Sequence, residues 1–504
     1  MTSFRLKVAI IPAMATLILA GCRVGPKYNP PTATAQAPPA VYKETPSQSV
    51  DAGDWKVAQP QDAMLHGKWW EIYNEPELND LEEKLNINNQ NIKEFFENFM
   101  EARTLIAEAR AQLYPTLTTT PSYTRSRASA NLGNTASGNI TGGQQSSITS
   151  LPVTASWAPD LWGKVRNTIR ETQYNAQLSA AELEGERLTE QSTLAEIYFE
   201  IRGQDALQAL YQATVDADKK AVDLARSGYD TGVQDEITVV EAESALHSAE
   251  SALTNLGVAR AQYEHAISML IGTNPSTFTL PVKALTTAPP PIPTGIPSQL
   301  LERRPDIAGS ERAMASANAQ IGVAVAAFYP NITLSAEGGL ESSTLSHLFD
   351  WPSRFWSVGP AASETIFDAG LRRATVNQYI ATYNADVASY RQTVLTAFQQ
   401  VEDYLAAVRI LSKQIQQQRQ AVDSASKTLE LEKGRYDTGI DPYVDVVTAQ
   451  TNLLTDKQAL ASLQIEQMTS SVQLIEALGG GWDKSQLPSP SDVSKKLGKL
   501  AIEK

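Results

Sequence analysis

The chain has 504 residues, of which 42% are apolar and 7% aromatic, and its formal net charge is −14. This length is enough to bury a large core, and the abundance of Ala, Gln, Glu and Leu in the central segments favours helix. The acidic balance argues against a nucleic-acid partner, because phosphates and carboxylates repel each other. The negative net charge is compatible with a protein interior that favours cations. A simpler explanation is that the acidic side chains lie on solvated helix faces.

The N-terminus has the pattern of a secretory leader. Arg5 and Lys7 precede an apolar run that is too short to cross a membrane as a helix. The run leads into Leu-Ala-Gly-Cys, which resembles a bacterial lipobox and ends at Cys22, the only cysteine of the chain. We therefore expect a signal peptide over residues 1–21 and lipidation of Cys22; the alternative is a buried cysteine beside an ordinary cleavage site. Arg23 follows where lipoproteins retained at the inner membrane have Asp, which implies sorting to the outer membrane.

Residues 22–62 are rich in Pro, Ala and Thr, which predicts an extended, lipid-anchored N-terminal segment. Folded structure is expected to begin with the first repeat, near the pair Trp69-Trp70. Apolar residues at mostly helical spacing then predict a helix pair or a single bent helix up to about Leu113.

Four segments alternate apolar and polar residues with a period of two, and they predict one β-hairpin in each half of the chain. The strands are expected at about residues 116–127, 148–158, 331–342 and 355–365. Their length and the aromatic residues near their ends are typical of transmembrane β-strands, while soluble hairpins are the alternative. Because an open sheet edge is not tolerated in lipid, several copies must complete one barrel. The residues alone do not decide among barrels of eight, twelve or sixteen strands.

The second half of the chain repeats the first. Tyr229-Asp230-Thr231-Gly232 recurs as Tyr436-Asp437-Thr438-Gly439, at an offset of 207 residues (436 − 229 = 207). The same offset relates Gly163 to Gly370. A segment of about 110 residues is therefore duplicated without insertion, as expected if a long rigid element sets its length.

Each repeat contains a stretch of 67 residues without proline, at 163–229 and 370–436. At about 1.5 Å per residue, each stretch predicts a helix roughly 100 Å long. Return helices are expected at 234–271 and 442–478. Apolar residues at a strict seven-residue spacing indicate coiled-coil packing. In the second repeat they are Val394, Val401, Val408, Ile415, Val422 and Leu429. A soluble helical bundle is the alternative, although no ordinary globular domain needs two helices of this length.

These segments divide the chain into six parts. They are a signal peptide (1–21), the N-terminal segment (22–62), the first repeat (63–272), a Pro-rich linker (273–299), the second repeat (300–482) and a flexible C-terminal tail (483–504).

Several motifs together resemble the outer membrane factors, the TolC-like efflux ducts, in their lipoprotein (NodT) branch. They are Leu-Leu-Glu-Arg-Arg-Pro-Asp-Ile at 300–307, Ala-Asn-Ala-Gln-Ile-Gly-Val at 317–323, Phe-Tyr-Pro at 328–330, Trp69-Trp70, Asp-Leu-Trp-Gly-Lys at 160–164 and both Tyr-Asp-Thr-Gly turns.

The resemblance implies a mainly α fold with transmembrane β-strands, the outer membrane efflux protein fold. It implies a homotrimer whose three chains form a twelve-stranded β-barrel in the outer membrane and an α-helical tunnel across the periplasm. The implied partners are a periplasmic adaptor (membrane fusion) protein, an inner membrane pump reached through the adaptor, and outer membrane lipid. No nucleic acid is expected.

The resemblance also places the turns at the periplasmic tips, where an adaptor docks and the duct closes. The implied adaptor contacts are Tyr229, Asp230, Thr231, Gly232, Tyr436, Asp437, Thr438 and Gly439. The predicted gate residues are Tyr436, Val444, Asp445, Asp441, Glu241 and Asp235. In a trimer these carboxylates would form rings that attract cations; the alternative is that they only complement helix dipoles.

No catalytic constellation and no metal site are predicted. The four histidines are scattered, and neither a nucleophile motif nor a phosphate-binding loop is present. The only expected non-protein groups are the N-terminal diacylglycerol and the fatty acid on Cys22, with no cofactor. The expected function is a passive exit duct for small molecules such as drugs, opened by the adaptor. The alternatives are a duct for type I protein secretion and a non-conducting, lipid-anchored structural coiled coil.

Overall fold

The structure is a computed structural model that describes residues 23–34, 42–44, 67–127, 129, 145–285, 288–292 and 300–495. The predicted signal peptide, the lipidation site Cys22 and the end of the C-terminal tail lie outside the described residues.

The two repeats have matching elements, and the long helices are 67 residues and the return helices 35 residues in both. The first repeat contains α1 (Pro76–Asn88), α2 (Gln90–Ala111), β1 (Thr116–Thr119), β2 (Ser122–Arg127), β3 (Gln145–Trp157), α3 (Lys164–Asp230) and α4 (Glu236–Leu270). The second contains α5 (Leu300–Arg303), α6 (Pro305–Ala326), β4 (Asn331–Ser342), β5 (Arg354–Ser363), α7 (Leu371–Asp437) and α8 (Tyr443–Ala477), followed by the short α9 (Pro490–Val493).

Glycines mark where the long helices begin. Gly163 and Gly370 are the N-cap residues of α3 and α7, with φ of 76° and 89°. Only glycine adopts such a left-handed conformation without a steric penalty. The duplicated glycine therefore sets the same starting point for both helices.

The strands form one antiparallel sheet in the order β1–β3–β4–β5, with β2 also paired to β3. The predicted continuous strand at 116–127 is wrong in one respect, because it is split into β1 and β2. Both pieces pair with β3 in the same register, Thr119 with Val153 and Ser122 with Ser150. The interruption falls at Pro121, which has no N–H to donate to a neighbouring strand.

The two faces of the sheet differ in polarity. Residues that pair directly across strands share a face, so the register assigns each side chain to one side. The apolar face carries Leu117, Leu151, Val153, Trp157, Leu334, Leu340, Trp356 and Val358. The opposite face is mostly small or polar and carries Thr118, Ser150, Thr154, Ser156, Ser335, Glu337, Glu341 and Ser357. This alternation is that of strands with lipid on one side and an aqueous lumen on the other.

The main hydrophobic core lies where the long helices of both repeats meet the N-terminal helices. Trp69, Leu78, Phe199, Val394 and Val472 belong to it and have no exposed surface. They come from five different parts of the chain: a short turn, α1, α3, α7 and α8. None of the described helices is both long enough and apolar enough to cross a membrane.

A buried charged cluster fastens α3 to α1, α4 and the linker. Asp205, whose side chain has no exposed surface, accepts from Arg202 Nη1 at 3.0 Å, Arg260 Nε at 2.7 Å and the Lys283 amide at 2.9 Å. Arg202 also donates to Glu77 at 2.6 Å. Because each buried charge has a partner of opposite sign, the attraction within the cluster offsets much of the free-energy cost of removing these charges from water.

Candidate functional site

The two Tyr-Asp-Thr-Gly turns lie side by side at the end of the helices that is remote from the sheet. In both turns the chain reverses through a glycine with positive φ, 72° at Gly232 and 73° at Gly439. In the first turn the Val233 amide donates to the Gly228 carbonyl at 2.8 Å, and the second turn repeats this closure. The glycine and the amide together form the left-handed cap that ends a helix abruptly.

The threonine of each turn satisfies carbonyl groups at the helix end. Thr231 Oγ1 donates to the Ser227 carbonyl at 2.9 Å, and Thr438 Oγ1 donates to the Gly434 carbonyl at 3.0 Å. The last carbonyls of a helix have no partner inside the helix. This requirement explains why a hydroxyl precedes the glycine in both copies.

The predicted adaptor contacts lie at the surface, with one exception. Tyr436 is half-buried, whereas the equivalent Tyr229 has 49% of its surface exposed. The exposed members are Tyr229, Asp230, Thr231, Gly232, Asp437, Thr438 and Gly439. Beside them, Val233 and Ile440 expose most of their apolar surface. The two turns thus offer similar but not identical surfaces.

The turns differ at the positions that flank the motif. In the second turn Arg435 forms a bidentate ion pair with Asp441: Nε donates to Oδ2, and Nη2 donates to Oδ1 at 2.8 Å. This pairing lowers the pKa of Asp441. The equivalent residues of the first turn are Gly228 and Gln234, and a Cβ at Gly228 would lie only 2.7 Å from Gln234 Cδ. The glycine therefore leaves room for Gln234 to fold back against its own helix.

A hydrogen bond joins the two turns: Gln234 Nε2 donates to the hydroxyl of Tyr436. The Tyr436 ring also packs on that of Tyr443, with 5.3 Å between ring centroids. Burial, followed by the nearby charges of Asp437 and Asp235, raises the pKa of Tyr436. Burial likewise raises the pKa of Tyr443 to about 12. Both tyrosines are therefore neutral at physiological pH, and the Tyr436 hydroxyl is an acceptor available to Gln234.

Two further hydrogen bonds join α3 to α8 above the turns. Gln450 donates to Asp218, a buried carboxylate whose pKa is raised by burial, and Gln458 donates to the Tyr211 hydroxyl. Sequence reasoning did not select these residues. The sequence does mark Asp218 as unusual. It lies three residues after Val215, at a position of the seven-residue repeat that is normally apolar.

The predicted gate carboxylates have separate roles in the single chain. Asp235 is the N-cap of α4, and its Oδ1 accepts from the Thr238 hydroxyl at 2.8 Å and from the Thr238 amide at 3.1 Å. The hydroxyl bond first, and then the amide bond, lower the pKa of Asp235, which is the capping role that the helix-dipole alternative gives it. Glu241 is half-buried, whereas Val444 and Asp445 are exposed. A ring of such carboxylates requires a trimer and stays a prediction.

The family described as outer membrane efflux protein matches residues 81–273 and 296–480. The probable efflux pump outer membrane protein TtgC of Pseudomonas putida is 31% identical over 472 residues, which cover 93% of this chain and 95% of that protein. The solvent efflux pump outer membrane protein SrpC of Pseudomonas putida is 31% identical over 489 residues, covering 95% and 100%. Among solved structures, the outer-membrane channel OprN superposes with a TM-score of 0.79 at 25% identity, covering 92% of this chain and all of that one.

Proposed function

The chain belongs to the outer membrane efflux protein family, and we propose that it is the exit duct of a tripartite efflux system. It lies in the outer membrane and extends into the periplasm, as do the channels it resembles. The observation that carries the proposal is a sheet with one apolar and one polar face, joined directly to two 67-residue helices. Such a chain lines a continuous path through the membrane and beyond it.

The sheet requires further copies. Its outer strands are β1 with β2 on one side and β5 on the other, and among the described residues each is paired on one edge only. Unpaired backbone groups are very costly in hydrocarbon, so these edges must meet other copies. The resemblance to the outer membrane factors favours a homotrimer, with β5 of one copy beside β1 and β2 of the next.

The proposed cargo is small and apolar. TtgC is named a probable efflux pump protein and SrpC a solvent efflux pump protein, and the similarity to both extends over nearly the whole chain. We propose that organic solvents and drugs leave through this duct. An inner membrane pump supplies the energy, and a periplasmic adaptor that contacts the turns connects the two.

The N-terminal segment supports a lipid anchor at Cys22. The Val24 amide donates to the Trp162 carbonyl at 3.2 Å, and Asn167 Nδ2 donates to the Val24 carbonyl at 3.1 Å. Arg23 packs on Gly163, at the junction between sheet and helices. A lipid on the preceding residue would therefore be next to the periplasmic leaflet.

The resting duct is proposed to be narrowed at the turns. The bonds of Gln234 to Tyr436 and of Gln450 to Asp218 hold the first helix pair against the second. Opening the tip moves these pairs apart, so the bonds belong to the closed state. An adaptor that binds the exposed residues of the turns more tightly in the open arrangement shifts the equilibrium toward it.

The test is single-channel conductance of the purified full-length protein in planar bilayers, together with solvent and drug susceptibility of a strain whose own channel is deleted. We expect small, cation-favouring currents and restored resistance when the cognate adaptor and pump are present. A trimer that inserts but never conducts, and that restores no resistance, would refute the duct and favour a structural coiled coil.

A further inference from the structure

The charged residues of the strands are sorted by face. Arg125 and Arg127 alternate with Tyr123 at the end of β2, and the register of β2 with β3 puts all three on the apolar face. Arg354 begins β5 and pairs with Leu340, which is on the same face. The three arginines therefore lie on the lipid-facing side, at the end of the sheet away from the helices. We call Arg125, Arg127 and Arg354 the arginine collar.

The carboxylates are on the other face. Glu337 pairs with Thr154 and Glu341 with Ser150, so both point to the polar side. No charged residue occurs in the sequence between Arg127 and Asp160. The loop between β4 and β5 has a single carboxylate, Asp350, which His347 Nδ1 contacts at 2.8 Å. The outer end of the apolar face is thus strongly positive.

Neutral groups contact two of the three collar arginines, Arg354 and Arg125. The Arg354 guanidinium carbon lies 3.7 Å from the centroid of the Trp351 ring, and Arg125 Nη2 donates to Gln145 Oε1 at 2.9 Å. A guanidinium has five N–H donors, and one that stacks on an aromatic ring keeps its edge donors free for a planar or tetrahedral anion. In the described part of the chain neither Arg125 nor Arg354 pairs with a carboxylate.

The apolar surface next to the collar fits acyl chains. Trp356 and Val358, which follow Arg354 on the same face, expose 80% and 73% of their surface. The twelve residues of β4 span about 25–30 Å when tilted, which matches the apolar band of an outer membrane barrel. With the helices in the periplasm, the collar is at the level of the outer leaflet headgroups.

We propose that the arginine collar binds the phosphate groups of the phosphorylated glycolipid in the outer leaflet of the outer membrane. Arginine pairs with phosphate through two parallel hydrogen bonds, and these gain strength beside hydrocarbon. The aromatic and aliphatic residues below the collar contact the acyl chains of the same lipid. The inference rests on the proposed function only for the orientation of the barrel.

The experiment measures binding of bisphosphorylated lipid A and of its dephosphorylated form to the purified full-length protein in detergent, by native mass spectrometry. The test variant is R125Q/R127Q/R354Q. The charge-matched control is K164Q/R170Q/R373Q, which removes three exposed cations at the periplasmic end of the barrel. Circular dichroism and oligomer mobility identify variants that do not fold.

We expect the wild type to prefer the bisphosphorylated lipid and the collar variant to bind it on the order of 100-fold more weakly. The control variant should bind like the wild type. Equal binding by the collar variant, an equal loss in the control, or equal wild-type affinity for the dephosphorylated lipid would each overturn the proposal. Conductance and restored resistance, measured with the same variants, separate the two proposals, because the collar does not line the lumen. A protein that binds the lipid but neither conducts nor restores resistance refutes only the duct.

Discussion

Replacement of Tyr436 by Phe should open the duct. The substitution keeps the ring that packs on Tyr443 and removes the hydroxyl that accepts from Gln234. A hydrogen bond of this kind contributes about 1 kcal/mol net. If three copies lose it together, the closed state loses about 3 kcal/mol relative to the open state, and the ratio of open to closed channels rises on the order of 100-fold.

The assay is open probability in planar bilayers at fixed voltage. Tyr229→Phe is the matched control, because Tyr229 occupies the equivalent position of the first turn and is half exposed. The control should behave like the wild type. If Tyr436→Phe has the same open probability as both, the bond between the turns does not hold the closed state, and closure lies elsewhere in the tunnel.

Three further changes test the fold and its anchor. Asp205→Ala leaves the buried Arg202 and the partly buried Arg260 without their shared carboxylate, so the free energy of unfolding should fall by about 3–5 kcal/mol, measured by thermal and denaturant unfolding. Burial raises the pKa of Glu82 well above its ordinary value of 4.5, so the folded state keeps a proton that the unfolded chain releases. The free energy of unfolding should therefore fall as the pH rises from 4.5 toward the folded-state pKa, by about 1.4 kcal/mol per pH unit. Glu82→Gln should remove this slope, whereas an unchanged slope would show that another group causes it. Cys22→Ser should abolish the lipid mass on the mature N-terminus; retention of that mass would place the lipid on another residue.

The lengths of the long helices could be predicted because local features determine them. A stretch of 67 residues lacks proline in each repeat, and a glycine at each boundary adopts positive φ. The division between β1 and β2 was missed because the alternation and the register continue across Pro121. Only the absent amide of proline marks the interruption.

The contacts at the site could not be predicted in the same way. Gln234 and Tyr436 are 202 residues apart, and Asp218 and Gln450 are 232 apart. These contacts depend on the packing of α3 beside α8. That packing is a property of the tertiary structure and cannot be read from the sequence of either helix alone. The resemblance to a family drew attention to the two turns but did not indicate which side chains join them.

The differences between the turns follow from the duplication itself. Both turns have the threonine and the glycine that close a helix, together with the tyrosine and the aspartate that precede them. The flanking positions are then free to diverge, and they have become Gly228 and Gln234 in one copy but Arg435 and Asp441 in the other. In the first copy Gln234 donates a hydrogen bond to the neighbouring turn, whereas in the second copy Arg435 and Asp441 form an ion pair with each other. We therefore expect a trimer to present six turns of two kinds, so that an adaptor meets three equivalent sites rather than six.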